Sequence, residues 1–118
     1  MDTRPFAGRS GESAAETGYV RRGFRVVARN WRCGIGELDL VLLRGDLLVI
    51  CEVKTRRGVR FGAGFDAVDA RKRRKVRALA EAFLQQHAFG RVAVRFDVAS
   101  VQLRPDGSAL VDVFEDAF

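Results

Sequence analysis

The stretch from residue 37 to residue 55 constrains the fold more than any other part of the chain. Two apolar segments, Glu37–Leu43 and Leu47–Thr55, lie on either side of Gly45-Asp46. Apolar residues alternating over such lengths predict β-strands, and Gly-Asp is typical of a two-residue hairpin turn. The sequence therefore predicts a β-hairpin here, with a defined register between its two strands.

That register brings charged side chains together. A two-residue turn at 45–46 predicts Asp39 opposite Glu52 and Glu37 opposite Lys54, all on one face because strand side chains alternate. Opposed carboxylates repel each other unless a divalent cation lies between them. Oxygen ligands alone favour Mg²⁺ or Mn²⁺ over zinc, and a lysine beside them can position an attacking water or stabilise charge on a phosphate.

The same residues also allow a plainer interpretation. Glu52 and Lys54 continue a row begun by Leu48 and Ile50, so they could form an ordinary Glu-Lys pair at an exposed strand end. The spacing from Asp39 to Glu52 and Lys54 is short enough to arise by chance. The opposite face is predicted to be apolar, formed by Leu38, Leu40, Leu42, Val49, Cys51 and Val53.

The remaining elements follow from periodicity and turn residues. They are a helix at Ser10–Arg22, a strand at Phe24–Arg29, a helix from Asp69 to about His87, and strands at Arg91–Val101 and Ala109–Phe114. The segments 30–36 and 58–64 are predicted loops. The order α-β-β-β-α-β-β, with a helical crossover after a hairpin, predicts an α/β fold with a mixed β-sheet flanked by helices. We expect a flexible N-terminal tail at residues 1–9 and a single domain at 10–118.

Composition narrows the class of protein. The chain has 118 residues and no apolar run long enough to cross a membrane, so one domain without a membrane partner is expected. The first residues lack the apolar stretch of a signal peptide, which predicts a cytoplasmic protein. Two cysteines and one histidine provide neither a disulfide framework nor a zinc site.

The positive charge is concentrated in one segment. Residues 54–77 hold ten basic and two acidic side chains, a net charge of +8, whereas the rest of the chain carries −2. A localised basic patch favours a polyanion partner such as nucleic acid, although a solvated helix face is the alternative. The candidate phosphate-binding residues are Arg56, Arg57, Arg60, Arg71, Lys72, Arg73, Arg74, Lys75 and Arg77.

The sequence also predicts the positions or roles of three further residues, Lys72, Glu37 and Trp31. Lys72 lies one turn before Val76 and extends the apolar stripe of its helix. Its side chain either reaches back toward the carboxylates or lies along the core with its ammonium in water. Glu37 is expected to support Lys54. Trp31, predicted on a loop, is expected to pack rather than to stack on a base.

Short motifs spread in order over nearly the whole chain point to a family. They are Gly11-Glu12 with Ala15, Gly23-Phe24, Arg29-Asn30, Gly36–Leu40, Glu52–Arg56, Phe61-Gly62, Ala67-Val68 with Lys72, Arg95–Val98 and Asp116–Phe118. Together they resemble the YraN family, small bacterial proteins with a PD-(D/E)XK nuclease-like, restriction-endonuclease-like fold akin to the archaeal Holliday-junction resolvases.

The resemblance implies a metal site made of Asp39, Glu52 and the Val53 carbonyl, with Lys54 catalytic. In related resolvases a glutamate on the first helix completes the site, and Glu12 stands at the matching position. The expected activity is Mg²⁺- or Mn²⁺-dependent phosphodiester hydrolysis, on DNA rather than RNA, and selective for branched or flapped structures rather than for sequence. The alternative is a non-catalytic nucleic-acid-binding or scaffolding protein on the same fold. The sequence leaves a homodimer open.

Overall fold

A five-stranded mixed sheet, in which strand order follows chain order, organises the molecule. The computed structural model describes residues 7–57 and 70–118, with side chains from residue 11 onward. Its elements are α1 (Ala7–Arg21), β1 (Arg25–Cys33), β2 (Gly36–Arg44), β3 (Leu47–Arg57), α2 (Ala70–Gln86), β4 (Ala93–Leu103) and β5 (Ala109–Phe114). The predicted α/β class and the order α-β-β-β-α-β-β are confirmed.

The sheet is mixed because one connection crosses over. β3 and β4 pair in parallel, whereas β1–β2, β2–β3 and β4–β5 are antiparallel. A parallel pair cannot be joined by a tight turn, and α2 lies in the connection between β3 and β4. This long-range pairing makes β3 a central strand, with the hairpin on one side and β4 on the other.

The hairpin turn forms where it was predicted. Arg44 pairs with Leu47, and Gly45 has a φ of 60°, a conformation that glycine adopts without steric penalty. A positive φ at the first central residue matches the hairpin turn that requires glycine there. The Asp46 carbonyl oxygen also accepts a hydrogen bond of 2.8 Å from the Ala93 N–H, which ties the turn to the start of β4.

Each face of the sheet buries one helix. Apolar residues of α2 (Val76, Leu79, Ala80 and Phe83) pack on one face together with Leu48, Ile50, Phe96 and Val98. On the other face, Ala15 and Tyr19 of α1 pack with Leu40, Leu42, Val49, Cys51, Ala99 and Val101. The strand alternation predicted for Leu48 and Ile50 against Val49 and Cys51 is thus confirmed.

The predicted loop at 30–36 and the predicted face of Leu38 are wrong. β1 continues to Cys33 and leaves only a short turn before β2. Its register shifts between Val26 and Ala28, and Asn30 takes a φ of 49°, a conformation that asparagine tolerates better than most residues. Trp31 then pairs with Leu38, and both join the core on the α2 side. Leu38 lies on the opposite side from Leu40 and Leu42, so the alternation within β2 breaks between Leu38 and Leu40.

Other boundaries move by a few residues. Helix α1 begins at Ala7 rather than Ser10, and β4 runs from Ala93 to Leu103 rather than from 91 to 101. Four predictions fall outside the described residues: the tail before Ala7, the loop at 58–64, the start of the second helix at Asp69 and phosphate binding by Arg60. In the part of the chain that the structure describes, neither helix has the length and apolarity needed to span a bilayer.

A buried aspartate joins the far ends of the fold. Asp97 on β4 has no exposed surface. Its carboxylate accepts hydrogen bonds from the Tyr19 hydroxyl at 2.7 Å, from Arg95 Nε and Nη2 at 2.9 Å each, and from the Asp116 N–H at 3.0 Å. These contacts connect α1, β4 and the segment after β5, so Asp97 has the partners of a structural residue.

We expect Asp97→Ala to destabilise the fold by about 3–5 kcal/mol, because it leaves the largely buried Arg95 guanidinium and the Tyr19 hydroxyl without their acceptor. Asp112→Ala is the matched control, since Asp112 is an exposed aspartate on the neighbouring strand β5. Its cost should stay within about 0.5 kcal/mol. Urea unfolding of the three proteins measures both values, and equal stability of the two variants would contradict the structural role of Asp97.

Candidate functional site

The β2–β3 ladder ends just before the predicted carboxylate pair. Register partners run from Arg44 with Leu47 to Leu40 with Cys51. Among the described residues, the predicted partners Asp39 with Glu52 and Glu37 with Lys54 are not joined in this ladder. The predicted register is thus confirmed from Arg44 to Leu40, but the predicted pairing of the charged residues does not form. Opposed carboxylates repel each other when nothing lies between them. The strands part at the point where the charges begin.

Asp39 instead faces the main chain of the partner strand. Its Oδ2 accepts a hydrogen bond of 2.8 Å from the Val53 N–H. The pKa of Asp39 is raised to about 7, first by burial and next by the nearby Glu52 charge, although the Val53 hydrogen bond lowers it. Smaller contributions in the raising direction come from Glu12 and Glu37. Three acidic residues thus concentrate negative potential at Asp39, which favours a cation at this position.

Glu52 has its own partner on the helix above it. It is buried, with 8% of its surface exposed, and its Oε1 lies 3.1 Å from Lys72 Nζ. Of the two interpretations of Lys72, the structure supports the reach back toward the carboxylates. The helical spacing explains it, because Lys72, Val76 and Leu79 lie on one stripe of α2 that faces the sheet.

A cavity of about 270 Å³ opens between β2, β3 and α2. One wall is acidic and the other basic, with apolar side chains at the base of the helix wall. The lining residues are Glu37, Asp39, Glu52, Lys72, Lys75, Val76 and Leu79. A cavity with both signs of charge can hold a cation on its acidic wall and an anion such as a phosphate on its basic wall.

The other predicted site residues lie around this cavity rather than in its lining. Lys54 follows Glu52 by two residues on β3, so it projects from the same face, and its register partner on β4 is the buried Ser100. Glu12 on α1 is near enough for its charge to raise the pKa of Asp39. Val53 contributes its N–H to the observed contact with Asp39, whereas the sequence resemblance implied a role for its carbonyl.

The acidic wall fits a hard divalent cation in its chemistry. Asp39 and Glu52 provide carboxylate oxygens without sulfur or imidazole, the donor type that Mg²⁺ and Mn²⁺ prefer. A cation beside them would also remove the repulsion that raises the pKa of Asp39. Within residues 7–57 and 70–118, no three acidic, histidine or cysteine side chains are grouped closely enough to hold a metal. Glu12 therefore stays a predicted third ligand.

The basic residues divide into two groups. Arg71, Arg73 and Arg74 are exposed on α2, which suits contacts with a polyanion. Arg77 stacks over the Phe96 ring at 4.7 Å and donates to the Phe118 carbonyl at 3.0 Å, so it also supports the core. On β3, Arg57 is exposed and Arg56 is half-buried.

Two close approaches between elements, each at a glycine, position the site and were not predicted from the sequence. A Cβ on Gly36 would lie 3.0 Å from Lys75 Cε, so a residue without a side chain lets the Lys75 stem rest against β2. A Cβ on Gly11 would overlap the Thr55 hydroxyl, so α1 approaches β3 closely just before Glu12. The signal for Lys75 was present in its spacing from Lys72 and Leu79, but nothing local marks a contact between residues 11 and 55.

Comparison with known proteins confirms the resemblance to the YraN family, which is the protein family UPF0102. The model of the uncharacterised protein family UPF0102 matches residues 11–101. A UPF0102 protein of Parafrankia sp. (strain EAN1pec) is 45% identical over 111 residues, 94% of each chain. Those of Frankia alni and Ectopseudomonas mendocina are 44% and 43% identical, and each match covers all of this chain and 98% of the relative.

We expect Gly11→Ala to destabilise the protein by about 1–3 kcal/mol, because the added methyl must displace Thr55 or lift α1 from β3. Gly18→Ala is the matched control in the same helix, since no atom lies within 4 Å of the added Cβ. It should stabilise by about 0.5–1 kcal/mol. Thr55→Ala should partly rescue Gly11→Ala in chemical denaturation, and a failure to rescue would contradict the contact.

We expect Asp39→Asn to stabilise the protein increasingly as pH rises from about 4 to about 7 in EDTA. The folded pKa of Asp39, about 7, lies above its ordinary value of 3.8. The folded state therefore keeps a proton that the unfolded state has released, and wild-type stability falls across this window. Asparagine can still accept from the Val53 N–H but carries no charge. The gain at high pH should be on the order of 2–4 kcal/mol.

Thermal or urea unfolding across the pH range measures the difference between the two proteins. Asp106→Asn is the control, because Asp106 is fully exposed and the Ser108 hydroxyl and N–H lower the pKa of its carboxyl. A difference between wild type and Asp39→Asn that does not change with pH would contradict the raised pKa.

Proposed function

This chain belongs to the uncharacterised protein family UPF0102, and we propose that it is a Mg²⁺- or Mn²⁺-dependent nuclease acting on DNA. The observation that carries the proposal is the acidic pair Asp39 and Glu52 at the parted end of β2 and β3, facing the lysines of α2 across one cavity. Paired carboxylates, a lysine two residues on and a basic wall are the parts that phosphodiester hydrolysis requires.

Each residue has a defined task in this proposal. Asp39 and Glu52 hold the cation, with Glu12 as the next carboxylate. When bound, a divalent cation supplies polarisation of the phosphoryl oxygen and a lower pKa for its water. Lys54 places a positive charge on the same face as Glu52 and stabilises the negative charge that develops on the phosphate. Glu37 lies on the acidic wall and also contacts Arg32 at 3.4 Å.

The arrangement supports selection by structure rather than by sequence. The exposed cations of α2 (Arg71, Arg73 and Arg74) and Arg57 on β3 can grip phosphates, which carry no base information. Such contacts make binding strongly dependent on salt. Branched or flapped DNA is therefore our preferred substrate class, and DNA is preferred to RNA.

One observation favours a second candidate, a nucleic-acid-binding protein without turnover. The Lys72 ammonium already neutralises Glu52 at 3.1 Å, so the acidic wall has a counter-charge without any metal ion. In that case the same basic surface would bind nucleic acid, and the carboxylates would serve to order α2 against the sheet.

Cleavage assays separate the two candidates. Wild type, Asp39→Asn and Lys54→Met are incubated with branched, flapped and single-stranded DNA and with RNA, in Mn²⁺ or Mg²⁺. We expect wild type to cut at least one DNA structure and each variant to lose about 10²–10³-fold in kcat/KM. Asp39→Asn should still bind DNA, because it removes a negative charge from the site.

Glu81→Gln is the matched control, an exposed acid on α2 outside the cavity lining, and it should cut like wild type. DNA binding without cleavage of any substrate would favour the second candidate. Cleavage that persists in Asp39→Asn would place the activity elsewhere or in a contaminant.

A further inference from the structure

The two partners of the ion pair between Lys72 and Glu52 differ in their exposure to solvent. The Glu52 side chain is 10% exposed, whereas that of Lys72 is 41% exposed. Glu52 is fixed in a central strand with β4 beside it, but Lys72 stands on the first turns of α2 with four rotatable side-chain bonds. If the pair separates, the lysine is the partner that moves.

A divalent cation on the acidic wall requires that separation. Glu52 is one of the two carboxylates that would hold the cation, and its Oε1 already meets the Lys72 ammonium at 3.1 Å. Two positive charges on one carboxylate oxygen, in a half-enclosed cavity, repel each other strongly. The ammonium and the cation therefore compete for Glu52.

The cavity also shows where the ammonium can go. Lys75 lies one turn further along α2 and lines the same cavity, and its stem is held against β2 at Gly36. A phosphate entering beside Lys75 meets a second ammonium as soon as Lys72 leaves Glu52. The phosphate thus replaces the Glu52 carboxylate as the negatively charged partner of the Lys72 ammonium.

We propose that Lys72 is a positioning residue that couples the two ligands of this site. It neutralises Glu52 when neither ligand is bound, and it moves to a nucleic-acid phosphate when a divalent cation takes its place on Glu52. The inference rests on the proposed metal-dependent function and adds that cation and nucleic acid bind cooperatively. Reciprocity follows, so each ligand tightens the other by the same factor.

Mn²⁺ affinity tests this coupling without any cleavage. Free Mn²⁺ is measured by electron paramagnetic resonance during titration of wild type, Lys72→Met, Lys72→Arg and Arg91→Met. We expect Lys72→Met to bind Mn²⁺ roughly tenfold more tightly than wild type, because the competing ammonium is gone. Lys72→Arg keeps the positive charge and should stay near wild type.

Arg91→Met controls for the general loss of positive charge. Arg91 is an exposed cation just before β4 and outside the cavity lining, so its removal should change Mn²⁺ affinity by less than about threefold. Unfolding midpoints in EDTA establish that all four proteins are folded.

A second titration adds a short single-stranded phosphorothioate DNA, which resists hydrolysis, with the oligonucleotide alone measured for subtraction. The DNA should tighten Mn²⁺ binding severalfold in wild type and in Arg91→Met. In Lys72→Met this gain should disappear, although the DNA still binds.

The outcomes separate this inference from the proposed function. Equal Mn²⁺ affinity of Lys72→Met and Arg91→Met, or weaker binding by Lys72→Met than by wild type, would overturn the role of Lys72. Lys72-dependent Mn²⁺ binding by a protein that cleaves no substrate would support the coupling and refute the nuclease. No Mn²⁺ binding by any of the four proteins would overturn both.

Discussion

The hydrogen bond from the Val53 N–H to Asp39 is the interaction on which the candidate site depends. It forms where the ladder between β2 and β3 stops, immediately beyond Leu40 and Cys51. Continued pairing would have set Asp39 directly against Glu52. Parting of the strands leaves both carboxylates near each other and opens the space into which α2 presents its lysines. The interruption of the sheet therefore creates the cavity.

Apolar packing of α2 on the sheet explains why its lysines lie over that cavity. A single stripe of the helix carries Lys72 and Lys75 toward its N-terminal end and Val76 and Leu79 further along. The apolar residues pack on the core of the sheet, and burial of this kind contributes most of the stability of a docked helix. The lysines then lie over Glu37, Asp39 and Glu52 as a consequence of the same helical period.

Local patterns in the sequence predicted most of the fold and the residues of the acidic wall. The hairpin turn at Gly45, the order of elements and the strand β5 at Ala109–Phe114 all follow from periodicity and turn chemistry, and the structure has them. The parallel pairing of β3 with β4 sets Lys54 beside Ser100, and no local signal encodes a partner so distant along the chain. The break in the alternation of β2 between Leu38 and Leu40, which places Leu38 on the α2 side, was not predicted either, because strict alternation predicts the other face.

Two aspartates in the same sheet show what separates a structural carboxylate from a candidate functional one. Asp97 is fully buried and accepts four hydrogen bonds, two of them from one guanidinium. Each of its two carboxylate oxygens accepts two of these hydrogen bonds. The residue thereby connects three parts of the fold. Asp39 accepts a single described hydrogen bond and faces the charges of Glu52, Glu12 and Glu37, which raise its pKa.

A carboxylate in the position of Asp39 lowers the stability of the folded chain at neutral pH, whereas removal of the Asp97 carboxylate would leave buried hydrogen-bond donors without their acceptor. Proteins keep destabilising charge clusters mainly where a ligand later compensates them. A cation bound by the oxygens of Asp39 and Glu52 would neutralise this negative charge. Without it, the Lys72 ammonium neutralises Glu52 from within the chain. The contrast with Asp97 is therefore the strongest physical reason to look for the activity of this protein at the parted end of β2 and β3.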